Sequence, residues 1–336
     1  MTGFGISDLA RQLSLQSNAA RLKQDTNRLT LELSTGKAAH QGALTSRDMS
    51  EISGLHRSLS LLTSLKTSIA ETSLFVDVQQ TALNVLQNDA EDLSTNLLSA
   101  GSARHPAQLN ALSQDAEVRF KGLIATLNSR AADQSVFAGA ATDGPALASA
   151  DTILTALRTE IAAATGANDI KTTLENWFLT PGGGFDTIAY LGSDTPAGPF
   201  PLGIGTSASP QVTAASQPIR EALMGFAMAA MIREPALVNL TEEKARLATL
   251  SAEVLLSNST QLSDMRAGAG ILQARIEEAT TRSASEALST EQALATLTAS
   301  DPYRAATELQ DAMTRLESLH TLTARISRLT LTEFLR

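Results

Sequence analysis

The sequence predicts a mainly α protein: a long helical coiled-coil rod formed by the N- and C-terminal segments, with a small mixed α/β outer domain inserted in the middle. Three observations predict this fold class. Both ends of the chain carry apolar residues at helical spacing, and a row of apolar residues recurs at every seventh position over 55–97. Over about 137–215 that periodicity stops, and Gly, Pro, Ser, Thr and Asp become dense.

The two end segments each carry one apolar stripe. Steps of three and four residues place all members of a set on one side of a helix. A single helix cannot bury such a stripe, so both helices require a partner surface, either each other or further copies of the chain. We therefore expect assembly helices over 1–44 and 301–336. The first set is Leu15, Ala19, Leu22, Thr26, Leu29 and Leu33, and the second is Leu309, Ala312, Leu316, Leu319, Leu322, Ile326 and Leu329.

Residues 45–136 and 216–300 are predicted to form a helical rod domain. A strict seven-residue repeat is typical of a left-handed coiled coil. Gly101 is expected to end the helix that carries the repeat, and the next helix is expected to return beside it as an antiparallel hairpin. The repeat runs through Leu55, Leu62, Ile69, Val76, Leu83, Ala90 and Leu97.

Two pairs of residues have the spacing of capping boxes that open helices. They are Thr45 with Asp48, and Asn239 with Glu242. The apolar segment 224–232 is too short to cross a bilayer and is predicted to be a buried helix.

Residues 137–215 are predicted to form the small outer domain. Two short helices are expected within it, over about 151–164 and 169–177. The apolar piece 185–191 is expected to be a strand, because it is short and follows a run of glycines.

Composition disfavours several classes of partner. The formal net charge is −9, and no cluster of Lys and Arg overturns it, so we expect no affinity for nucleic acid. No segment approaches the roughly 18 apolar residues of a membrane span, so no membrane insertion is expected. Residues 1–20 contain no apolar run, and we expect no cleaved signal peptide. The chain has no cysteine.

The sequence shows no recognisable catalytic, cofactor-binding or metal-binding pattern. The histidines His40, His56, His105 and His320 lack the spacing of zinc ligands. The segment 34–37 (STGK) only partly matches a phosphate-binding loop, because it ends a helix instead of opening one. We therefore expect no enzyme activity, although a site scattered along the sequence remains an alternative.

Four segments resemble the flagellin-like family, and especially its flagellar hook–filament junction proteins, of the hook-associated protein 3 type. The segment 33–37 (LSTGK) is similar to the end of the first helix in that family, and 136–139 (VFAG) to the entry into the outer domain. The segment 300–309 (SDPYRAATEL) is similar to the start of the last helix, and 324–335 to the C-terminus of junction proteins. The segment after the first loop, 41–50, departs from the family pattern.

The resemblance implies a non-enzymatic, extracellular subunit of the bacterial flagellum that joins hook to filament after type III export. The implied partners are flagellin, the other hook-associated junction protein, an export chaperone and copies of the chain itself in a ring; no cofactor is implied. A flagellin-type filament subunit and a cytosolic coiled-coil adaptor remain alternatives. The expected assembly interface comprises Leu15, Leu22, Leu29, Leu33, Leu309, Leu316, Leu319, Ile326, Leu329 and Phe334.

Overall fold

The fold is mainly α, as predicted, in a computed structural model that is 78 % helical. The structure describes residues 4–38, 46–237 and 240–334, and it describes side chains at 10, 13–38, 49–237 and 240–325. Thr45 and Asn239, each the first residue of a predicted capping box, therefore lie outside the described residues.

Eight α-helices and two short β-hairpins occupy the described part of the chain. The helices are α1 (Phe4–Thr35), α2 (Ser46–Ala103), α3 (Pro106–Leu127), α4 (Ala150–Glu160), α5 (Ala167–Leu179), α6 (Gln217–Ala230), α7 (Thr241–Thr298) and α8 (Pro302–Phe334). Antiparallel strands β1 (Arg130–Ala131) and β2 (Gln134–Ser135) form one hairpin, and β3 (Phe200–Gly203) and β4 (Thr206–Ala208) form the other. Short 3₁₀ turns follow α4 and α6.

The chain divides into two compact units. One contains residues 1–62 and 285–336, and the other contains 63–284. This division does not follow the predicted boundaries at 136 and 215, because 137–215 lies within the second unit together with most of α2 and α7. The roles that the sequence assigns to these parts stay a prediction.

The second unit is built around antiparallel helices. Arg119 of α3 forms an ion pair with Asp89 of α2 at 2.8 Å, as the predicted α2–α3 hairpin requires. On α2, Gln87 bonds Arg266 at 2.8 Å, while Asp77 accepts a hydrogen bond from Gln273 at 2.6 Å. The partner number on α7 rises as the number on α2 falls, so these two helices are antiparallel. The predicted seven-residue row is buried in this unit at Ile69, Val76, Leu83, Ala90 and Leu97.

Gly101 does not end α2, which continues to Ala103. A Cβ atom at this position would lie 2.7 Å from Thr249 Oγ1 and 3.1 Å from the carbonyl oxygen of Ala245. The glycine therefore allows α2 and α7 to approach closely. The turn out of α2 is made instead at Arg104, whose φ is 52°.

The predicted buried helix at 224–232 is confirmed, since residues 222–232 of α6 and the 3₁₀ turn after it are all buried. Buried hydroxyls bond to carbonyl oxygens at the end and the middle of α6. Ser113 Oγ donates to Ala230 at 2.8 Å, and Ser251 Oγ donates to Gly225 at 2.7 Å. These bonds offset the cost of burying the two hydroxyls of α3 and α7 against an apolar helix.

Within 137–215, both predicted helices are confirmed as α4 and α5. The predicted strand at 185–191 is wrong, because Phe185–Ala189 forms a π-helical turn. A short apolar run does not distinguish a strand from a buried turn. Here the turn buries Phe185 against Trp177, with ring centroids 6.4 Å apart. Glu243 of α7 accepts a hydrogen bond from the amide of Ala167 at 2.7 Å and so caps the first turn of α5.

We predict that Gly184→Ala destabilises the second unit by about 2 kcal/mol or more, because its Cβ would overpack the core. That atom would lie 1.8 Å from Trp177 Nε1. Urea unfolding followed by the fluorescence of this single tryptophan measures the change. Gly144→Ala is the matched control, since a Cβ there meets no atom within 4 Å. Equal unfolding midpoints for the two variants would contradict the prediction.

Candidate assembly site

Helices α1 and α8 lie side by side in the unit of residues 1–62 and 285–336. Leu29 is 2 % exposed and packs with Ala305 and Ala312, and Leu309 covers this cluster from the side. Further along the pair, Ala19 and Ala20 line one wall of a groove whose other wall holds Leu316 and His320. Lower numbers on α1 thus match higher numbers on α8, and the two helices are antiparallel.

A pair of backbone hydrogen bonds closes one end of this helix pair. We call residues 36–38 and 298–300 the clasp. The amide of Ala38 donates to the carbonyl oxygen of Thr298, and the amide of Ser300 donates to that of Gly36, each at 2.9 Å. Lys37 and Ala299 face each other as an isolated antiparallel bridge. Two segments that carry the family resemblance, LSTGK and SDPYR, therefore meet in space.

Local chemistry prepares both halves of the clasp. Gly36 has a φ of 67°, a conformation that glycine adopts without strain. Its amide donates a hydrogen bond to the carbonyl oxygen of Glu32, and this bond ends α1. On the other side, Asp301 Oδ1 accepts hydrogen bonds from the amides of Tyr303 at 3.0 Å and Arg304 at 3.3 Å. Asp301 therefore caps α8.

Charged side chains beside the clasp are paired. Glu32 is 7 % exposed, accepts a hydrogen bond from Arg28 Nη1 at 2.8 Å, and lies 3.5 Å from Ser300 Oγ. On α8, the hydrogen bond to Glu308 raises the pKa of the Arg304 guanidinium above its usual value.

The structure places the predicted interface residues at three levels of exposure. Only Leu29 is fully buried. Leu33 is 40 % exposed. The side chains of Ile326, Leu329 and Phe334 lie outside the described residues. Five more are half-buried: Leu15, Leu22, Leu309, Leu316 and Leu319.

Sequence reasoning missed the groove between α1 and α8 and the apolar residues beside it. The groove has a volume of about 690 Å³ and is lined by Ala19, Ala20, Lys23, Thr26, Asn27, Met313, Leu316, Glu317 and His320. Leu13 is 58 % exposed and Leu31 55 % exposed. The spacing of Leu13, Ala20 and Leu31 marks a second stripe on α1, and this signal was available in the sequence.

The described residues contain no group of three or more acidic or histidine side chains that could hold a metal ion. Among these residues, no helix has an apolar stretch of the length and hydropathy that a bilayer requires. His320 is exposed at the groove, and His40 lies outside the described residues. The STGK segment, which partly matches a phosphate-binding loop, is engaged by its backbone in the clasp.

We predict that Leu29→Ala weakens the α1–α8 pair by about 2 kcal/mol, because it removes a fully buried side chain from the seam. Leu33→Ala on the same helix is the control and should change the pair by less than about 0.5 kcal/mol. Hydrogen exchange at the backbone amides of α1 measures both effects. Equal exchange rates in the two variants would show that Leu29 is not the anchor.

Comparison with known proteins matches one part of the chain to a family. Residues 253–335 match the model of the bacterial flagellin C-terminal helical region, which here covers most of α7 and all of α8. No curated protein matches the chain significantly.

Among solved structures, one described as a flagellar hook-associated protein from Vibrio parahaemolyticus matches with a TM-score of 0.49 and 9 % identity. The alignment covers 75 % of this chain and 98 % of that chain. At this similarity, that protein's function does not carry over. Residues 253–335 are similar to the flagellin C-terminal helical region.

Proposed function

We propose that the chain is a structural, non-enzymatic subunit of the bacterial flagellum, of the hook-associated protein 3 type, that joins hook to filament. One observation carries the proposal: the α1–α8 pair leaves apolar side chains in solvent, with Leu13, Leu31 and Leu322 each 53–58 % exposed. The second unit, in contrast, encloses its own core. A chain in which one unit has an enclosed core and the other exposes apolar side chains is suited to assembly with neighbours.

The partly exposed stripe residues also favour assembly. Completing the burial of a partly exposed leucine contributes about 1 kcal/mol. Leu15, Leu22, Leu309, Leu316 and Leu319 are all half-buried in the single chain. Neighbouring subunits that cover these residues gain several such contributions at once. The proposed interface also includes Leu29, Leu33, Ile326, Leu329 and Phe334.

Each part of the chain has a role in this proposal. Residues 1–44 and 301–336 assemble, 45–136 and 216–300 form the rod, and 137–215 face outward. The partners are flagellin, the other hook-associated junction protein and copies of the chain in a ring. Before assembly, an export chaperone binds the chain. Type III export without a cleaved signal peptide delivers it to the extracellular flagellum.

The resemblance of the VFAG segment favours the junction type over flagellin. In the structure, the segment forms a turn with a structural need for its glycine. Phe137 and Ala138 are buried. Gly139 has a φ of 61°, and a Cβ there would lie 2.3 Å from the carbonyl oxygen of Ser193. The segment therefore requires glycine at this point for a structural reason.

We predict that Leu22→Asp and Leu316→Asp block assembly and leave the second unit folded, because each places a carboxylate on the apolar stripe of its helix. Cells that carry either variant in place of the native chain should export the protein, fail to swim and shed filament subunits into the medium. Motility plates and immunoblots of the medium measure these outcomes.

Matched controls place the same charge on exposed positions of the same helices. Gln24→Asp and Thr314→Asp lie on α1 and α8 at exposed sites and should preserve swimming. Normal swimming of cells that carry the Leu22 and Leu316 variants would reject the proposed interface.

A flagellin-type filament subunit is the second candidate, since the matching family model is that of flagellin. The two candidates differ in self-assembly. We expect the purified chain not to form long filaments by itself, either in salting-out buffer or on seeds of its own aggregates. Electron microscopy of such samples decides the matter, and micrometre-long filaments would favour flagellin.

A further inference from the structure

The apolar seam between α1 and α8 does not define its own register. On α1, Leu15, Leu22 and Leu29 are spaced seven residues apart, and so are Ala19, Thr26 and Leu33. On α8, Ala305, Ala312 and Leu319 repeat in the same way, as do Leu309 and Leu316. A slide of seven residues, about 10 Å along the axis, therefore exchanges one apolar residue for another at nearly every seam position. Packing then distinguishes these registers only by the difference in size between leucine and alanine, as at Leu29 against Ala312.

The clasp is the feature that a slide destroys. The clasp has two backbone hydrogen bonds, from the amide of Ala38 to Thr298 and from the amide of Ser300 to Gly36. Unlike the apolar seam residues, these bonded residues are not repeated every seven positions. The two bonds depend on the left-handed φ of Gly36, which turns the chain out of α1. A slide of seven residues carries both donors past their acceptors.

The buried carboxylate of Glu32 favours the same register of the helix pair. Glu32 is nearly enclosed, and its two carboxylate oxygens face Arg28 Nη1 and Ser300 Oγ at 2.8 and 3.5 Å. Polar groups at single positions of a helix pair are known to specify register, because any shift buries them against apolar atoms. Ser300 belongs to the clasp, so the carboxylate favours the register that the clasp sets.

We propose that the clasp sets the register of the α1–α8 pair, with Gly36 as its principal positioning residue. In this register the small residues Ala19 and Ala20 lie across from Leu316 and His320, which leaves the groove open. The clasp thereby determines which surface the pair offers. The proposal does not depend on the flagellar role and is tested on the purified chain.

Disulfide formation reports the register, because the chain contains no cysteine of its own. Thr26→Cys with Ala312→Cys places thiols on facing turns in the observed register, since Thr26 lies one turn from Leu29, which packs on Ala312. Ala19→Cys with Ala312→Cys brings thiols together only after a slide of seven residues. With the clasp intact, the first pair should form its intrachain disulfide about tenfold faster than the second.

Substitutions at Gly36 separate conformation from size. A Cβ atom at this position would meet no atom within 4 Å. Gly36→Val therefore acts only because valine disfavours a positive φ, whereas asparagine in Gly36→Asn tolerates that φ. Each lost backbone bond shifts an equilibrium by about fivefold. We therefore expect Gly36→Val to reduce the rate ratio to about threefold or less. Gly36→Asn should keep it.

A second pair of variants tests the clasp independently, in case a substitution at Gly36 prevents folding. Ala38→Pro removes the amide that donates to Thr298, whereas Ala38→Ser keeps it. Circular dichroism verifies that all four variants retain their helices. The rate ratio should fall in Ala38→Pro and persist in Ala38→Ser. A ratio that stays near tenfold in helical Gly36→Val or Ala38→Pro would overturn the proposal.

Discussion

The contact between Leu29 of α1 and the small residues Ala305 and Ala312 of α8 is the interaction on which the unit of 1–62 and 285–336 depends. Alanines allow two helix backbones to approach, and one leucine then fills the space between them. Most of the remaining stripe residues are only half-buried, so apolar packing contributes little further stability to the pair. Its stability and its register must therefore come partly from its ends, where backbone bonds join Gly36 and Ala38 to the segment before α8.

The unit of 63–284 follows a different physical plan. Its core is continuous, and α6 is buried on nearly all sides. Three polar side chains inside this core, Ser113, Ser251 and Asn258, donate to carbonyl oxygens at 2.6–2.8 Å. Such a core is complete within one chain. The contrast with α1 and α8 is the structural basis for separating a stable body from an assembly surface.

The functional proposal combines this contrast with the family match. Residues 253–335 match the flagellin C-terminal region, and that match includes the half-buried leucines of α8. A flagellar subunit must remain soluble before assembly and associate strongly with many neighbours afterwards. A helix pair that is registered by a clasp but only half covered by its partner satisfies both requirements.

The sequence by itself determined the helical fold class, the α2–α3 hairpin, the buried helix at 224–232 and the stripes on α1 and α8. Periodicity reports which side of an element is apolar, and that information is local. Only the tertiary structure decided the π-helical turn at Phe185–Ala189, the close approach at Gly101, the groove and the clasp. The close approach, the groove and the clasp depend on contacts between segments distant in the chain, whose register the local pattern leaves open.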